Sequence, residues 1–198
     1  MSSLQTSPFA ATQADALFQI LDSVLEPRSC AYVAGPLESG KTYYERVAAG
    51  DELLTIRAEN ESRLSEFAQG LRKRLAYPVF DPGLLKIPRW SGPDYGNFFM
   101  EVIRRYARAC WFLDGWEFST GATKEFLLCC TIKVPCWTET EDALDVGRGI
   151  QLITRAADCV RELNLTDQKL RSRLAELERL QGQVGSFEPL TRFGRESK

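Results

Sequence analysis

Histidine is absent from all 198 residues of the chain. That absence removes the Ser-His and Cys-His pairs that activate many protein nucleophiles, together with a common zinc ligand. Six cysteines stand at 30, 110, 129, 130, 136 and 159, but no Cys-x-x-Cys pair occurs among them. A metal site is therefore not expected, and several of these thiols lie in apolar runs where a free cysteine behaves as a small hydrophobe. Any acid–base chemistry must come from carboxylates, tyrosine, lysine or cysteine. Long apolar runs are missing too: none approaches the ~20 residues of a spanning helix. The first ten residues lack the basic start and apolar stretch of a signal peptide, so a cytoplasmic protein is expected. Charge of one sign is also lacking. With 25 Lys and Arg against 27 Asp and Glu, the net charge of −2 gives no field to draw nucleic acid or an acidic membrane.

What is present reads as one α/β domain. The 44% hydrophobic and 26% charged content suits a globular chain with a sizeable core. Residues 1–11 read as a flexible lead-in. Thr12 to Asp15 resembles a capping box, and Ala16, Leu17, Ile20, Leu21, Val24 and Leu25 give an apolar helical face that ends before Pro27. Cys30 to Ala34 reads as a buried strand, Tyr77 to Phe80 as a short one stopped by proline, 110–113 as a third and Val134 to Trp137 as a fourth. Helices are expected between them: one opening after Gly40, Asn60 to Leu75, Ser91 to about Arg108, and 122–132. The segment 51–56 is ambiguous, and 81–93, rich in Pro and Gly, reads as a loop fit to act as a lid. This alternation predicts a Rossmann- or flavodoxin-like, doubly wound parallel sheet of about four or five strands. The domain spans 12–137, followed by a helical C-terminal appendage over 138–181 and a disordered tail over 182–198. In the appendage, Leu163, Leu170, Leu174, Leu177 and Leu180 form a short stripe that needs burial.

Two loops carry the candidate chemistry. The first follows the strand Cys30 to Ala34 as Gly35-Pro36-Leu37-Glu38-Ser39-Gly40-Lys41-Thr42. The second follows the strand at 110–113 as Asp114-Gly115-Trp116-Glu117-Phe118-Ser119-Thr120-Gly121-Ala122-Thr123-Lys124-Glu125. Polar loops at the carboxyl ends of buried strands are where open α/β sheets bind ligands. Glu125, near a helix start, fits a carboxylate facing that loop, or simply an acid favoured by the helix dipole. Ser119 and Thr120 fit an anion contact at a helix N-terminus, or its cap. Tyr32 is a candidate site residue or a core aromatic.

Together, Tyr32-Val33-Ala34-Gly35-Pro36 and the Gly-Trp-x-x-Ser-x-Gly-Ala-x-x-Glu run resemble the nucleoside 2-deoxyribosyltransferase-like superfamily over roughly residues 29–137. The resemblance implies an N-glycosidase or deoxyribosyltransferase-like enzyme acting on a nucleoside or 5′-nucleotide, without cofactor. In it Glu125 is the nucleophile, Tyr32 stands near sugar and nucleophile, Ser119 contacts the 5′-phosphate with Thr120 and Gly121, and Gly35, Pro36, Asp114 and Trp116 shape the site. It implies a homodimer as well. One departure is visible: an Arg-Asp pair expected before the Gly-Trp is missing, leaving Glu101 or Asp94 to supply its carboxylate. Without one, the chain would be a non-catalytic nucleotide-binding module of the same fold. A rival lies in the first loop. Gly35 to Thr42 matches the Gly-x-x-x-x-Gly-Lys-Thr phosphate loop of NTPases and kinases, with Asp114 as the magnesium-holding acid, although Pro36 stiffens it and Lys41 reads more readily as a surface lysine at a capped helix start.

Overall fold

The computed structural model describes residues 8–50, 54–163 and 175. Its sheet holds β1 (Cys30–Ala34), β2 (Val79–Phe80), β3 (Ala107–Phe112) and β4 (Cys136–Thr138), all parallel, in the order β2-β1-β3-β4. Around it lie α1 (Pro8–Val24), α2 (Lys41–Ala49), α3 (Leu54–Arg74), α4 (Gly92–Tyr106), α5 (Thr120–Ile132) and α6 (Val146–Glu162), with single 3-10 turns at Pro82–Leu84 and Trp116–Phe118. The doubly wound α/β sheet is thus present with four strands, and α6 supplies a helix after it.

Both faces of the sheet are covered, which is why β1 and, after the exposed Arg108, the rest of β3 read as apolar runs rather than alternating ones. Cys30, Tyr32, Ala34, Cys110 and Phe112 pack with α1, α4 and α5. Ala31, Val33, Trp111 and Leu113 face the other way and pack on Leu64, Ala68 and Leu71 of α3. The two edge strands are two and three residues long, leaving little open backbone for a foreign strand to join.

Several boundaries differ from the sequence reading, each for a local reason. α1 begins at Pro8, inside the expected lead-in, because proline is well suited to the first helical turn. Its inward side is Ala14, Leu17, Phe18, Leu21 and Leu25, while Ile20 and Val24 face solvent. The segment left ambiguous is helical from Leu54, since Ile56 plugs a cluster with Tyr44, Ala156 and Val160. β3 takes over from α4 at Ala107, earlier than expected, because Ala107 pairs with Cys30 in the ladder. The expected lid is pinned. Asp81 accepts from the Gly83 amide (2.9 Å) and the Ser65 hydroxyl (3.0 Å), and the Trp90 indole donates to Gln13 (2.9 Å). The Ile87 amide donates to the Tyr95 hydroxyl at 2.7 Å. The leucine stripe beyond Leu163 and the tail over 182–198 lie outside the described residues, as do residues 1–7 of the lead-in. Among the described residues, no helix is long and apolar enough to cross a membrane.

Candidate functional site

Strand register sets the first half of the site. Tyr32 stands opposite Phe80 on one side and Cys110 on the other, and Cys110 stands opposite Cys136. One row of side chains therefore crosses the sheet beneath α5. On α5, Ala122, Glu125 and Cys129 recur at the three- and four-residue spacing that keeps side chains on one face. The result is a buried hydrogen bond: the Tyr32 hydroxyl donates to Glu125 Oε1 at 2.8 Å, across 93 residues of sequence. Phe80 stacks on the Tyr32 ring at 5.7 Å and Phe99 meets it edge-on at 6.5 Å.

Burial in this apolar setting pushes the Glu125 carboxyl up to about 8, against an opposing pull from the Tyr32 hydrogen bond. Burial likewise drives the Tyr32 phenol well above its ordinary range, and the Glu125 charge adds to that. Beside the pair, the Cys129 and Cys110 sulfurs are 3.2 Å apart, and all six cysteines are free. No cluster of three or more acidic or thiol side chains able to hold a metal ion occurs among the described residues.

The remaining candidates separate into those that face a ligand and those spent on the fold. Ser119 caps α5, accepting from the Ala122 amide at 3.4 Å, while its carbonyl takes the Thr123 hydroxyl at 2.9 Å. Thr120 and Gly121 form the first turn of that helix. Trp116 is buried in the main core, 4.9 Å from Phe112 and 4.8 Å from Phe126 between ring centroids, so it is not a ligand-facing wall. Asp94 is turned back on its own helix start, accepting from the Ser91 amide (2.8 Å) and hydroxyl (2.6 Å). Glu101 sits on the outer side of α4, paired with Arg104 (3.4 Å) and Arg105 (2.8 Å). Neither carboxylate substitutes for the missing acid. Gly35 is closely packed: a Cβ there would lie 2.9 Å from the Leu64 Cδ1 and 3.1 Å from the Leu113 Cβ, so both neighbours would have to give.

A cavity of about 260 Å³ opens over the carboxyl ends of β1 and β3, where strand order reverses and α/β sheets bind ligands. Pro36 and Asp114 line it, as expected, but Tyr32, Ser119 and Glu125 do not. The expected cleft joining Tyr32, Gly35, Ser119 and Glu125 is thus not this one: the Tyr32–Glu125 pair lies on the α4–α5 side of the sheet and the cavity lies toward α2, α3 and α6. Instead, the cavity is walled by Gly40, Lys41 and Thr42 of the rival loop, with Arg63, Glu117 and Arg155. Burial raises the Glu117 carboxyl above its ordinary value, and the nearby Asp114 adds to that while Lys41 opposes it. The sequence reading singles out neither Arg63 nor Arg155. Arg63 reaches the cavity from α3 and Arg155 from α6, which folds back over the Trp116–Phe118 turn, and no local pattern signals that either helix borders it. No family model, no curated protein and no solved structure matches this chain.

Proposed function

We propose that the chain is an N-glycosidase or deoxyribosyltransferase-like enzyme that cleaves the N-glycosidic bond of a nucleoside or 5′-nucleotide, with Glu125 as nucleophile. The observation supporting it is the 2.8 Å Tyr32–Glu125 hydrogen bond in a buried setting, which joins the two residues that the superfamily resemblance makes catalytic. The ionised Glu125 oxygen attacks the anomeric carbon, the C–N bond breaks, and its electron pair leaves with the base, which takes a proton from solvent. Water, or a second base in a transferase, then displaces Glu125 from the sugar. Splitting the reaction this way replaces one hard step by two easier ones. The substrate must reach a carboxylate that the present conformation buries, so turnover includes an opening step.

A panel of nucleosides and 5′-nucleotides, incubated with the protein and a chelator and read by chromatography, should show one or more free bases. Ligand binding with no free base from any member assigns a binding module instead and overturns the enzyme reading. Activity should rise with pH through about 8 as Glu125 ionises. The Tyr32 hydrogen bond favours the ionised carboxyl, so Tyr32→Phe should move that rise to higher pH; an unmoved profile would remove Tyr32 from the mechanism. The same reading carries a homodimer, which light scattering at tens of micromolar would test.

A further inference from the structure

The geometry points to a second binding site, in the cavity between α2, α3 and α6, for a small hydroxyl-bearing phosphate ester such as a sugar phosphate. Lys41, Arg63 and Arg155 hold the phosphate. The inference stands apart from the Glu125 chemistry, since neither Tyr32 nor Glu125 lines this cavity.

Three cationic side chains from three separate helices converge on one space of about 260 Å³. Asp114 and Glu117 line the same space and offset part of this charge, which leaves an excess of positive charge for an anion to offset. Arg63 and Arg155 make no ion pair with the described residues, and Lys41 reaches Glu45 only at 3.8 Å on the exposed side of α2. A guanidinium is a planar fork of donors suited to phosphate oxygens, and an ammonium adds a point charge.

The loop between β1 and α2 brings the start of a helix to the cavity. Gly40 precedes the helix with φ 137°, in the region that favours glycine, and offers no side chain to cap the first turn. A Cβ at Gly40 would also lie 2.8 Å from Pro36. Asn60 donates to the carbonyl oxygens of Leu37 and Ser39, both at 3.2 Å, taking up two acceptors that would otherwise repel an anion. The Thr42 hydroxyl also lines the cavity.

Two carboxylates in the same lining settle the rest of the ligand. Asp114 and Glu117 stand there as acceptors, and hydroxyl groups donate to carboxylates where a second phosphate would be repelled. The volume is below the ~300–1,000 Å³ usual for larger ligands, which favours a sugar phosphate over a nucleoside triphosphate. The Gly-Lys-Thr sequence thus acts as a phosphate anchor.

Isothermal titration at low salt with ribose 5-phosphate, inorganic phosphate, ribose, and ATP with and without magnesium tests this. Ribose 5-phosphate should bind tightest, inorganic phosphate more weakly, and ribose not measurably. Arg155→Ala and Lys41→Ala should each weaken ribose 5-phosphate at least tenfold with an unchanged melting temperature, while Glu125→Gln leaves the affinity as it was. Equal binding of ribose, no binding of any phosphate, or an affinity indifferent to both cation variants would overturn the proposal. Binding of ATP alone, dependent on magnesium and lost in Lys41→Ala, would overturn it in favour of an NTPase loop.

Discussion

Replacing Glu125 with glutamine is expected to abolish base release and, at pH 8, to raise the melting temperature. The two effects have one cause, a carboxyl held in an apolar site. The folded protein keeps the Glu125 proton to about 8, against an ordinary value of 4.5. At pH values below 4.5 both folded and unfolded chains are protonated, and the folded state has the full benefit. As pH rises past 4.5 the unfolded chain releases its proton and the folded one does not, so stability falls until the folded group also ionises near pH 8. By pH 7 the loss is on the order of 3 kcal/mol. Glutamine keeps the shape and an oxygen to accept from Tyr32, but cannot ionise. The melting-temperature gap between variant and wild type should therefore be small at pH 4.5 and reach ~6–12 °C by pH 7–8. A gap independent of pH would remove the buried-carboxyl account. Full base release in the variant would remove Glu125 as nucleophile.

The same residue shows what the sequence could convey. The Ser-x-Gly-x-x-x-Glu spacing put Glu125 on α5 and the apolar run put Tyr32 on β1, and the parallel pairing of β1 with β3 brings the two together. β1 was readable to its exact ends, Cys30 and Ala34, because a fully buried strand has no polar interruptions. The face of α1 was misread because apolar residues surround that helix: Ile20 and Val24 look as apolar as Phe18, yet only Phe18 meets the core, at 4.7 Å from Phe98. Burial of Glu125 was also missed. A first-turn acid favoured by the dipole and a second-turn acid sealed under a helix have the same letters, and only the tertiary packing distinguishes them. Trp116 and Asp94 failed as ligand contacts for a related reason: an aromatic in a loop and an acid after a serine each serve packing or capping when the fold supplies a partner. Part of the cavity lining was legible, through Pro36, Lys41 and Asp114. The part that comes from α3 and α6 was not, because their approach depends on contacts far apart in the chain.

One of those contacts is a single glycine. Gly149 lies against Phe126, and a Cβ there would stand 2.2 Å from two ring carbons. The ring has nowhere to go, since Phe126 is fully buried between Trp116, at 4.8 Å, and Phe112, at 5.7 Å. Gly149→Ala must therefore push α6 off α5. Overpacking of this kind costs about 1–3 kcal/mol, while the better helix propensity of alanine returns up to about 1 kcal/mol. A net fall in melting temperature of up to ~8 °C is expected. Because Arg155 and Ala156 on α6 wall the cavity, phosphate affinity should fall with it, unlike in the surface variants, where stability is unchanged. Phe126→Leu removes the colliding ring atoms at the cost of a cavity, so the double variant should lose less stability than the two single losses added. A coupling of about 0.5–3 kcal/mol in that direction is expected from thermal unfolding of all four proteins. Simple additivity would show that Gly149 is not where α6 is held against the site.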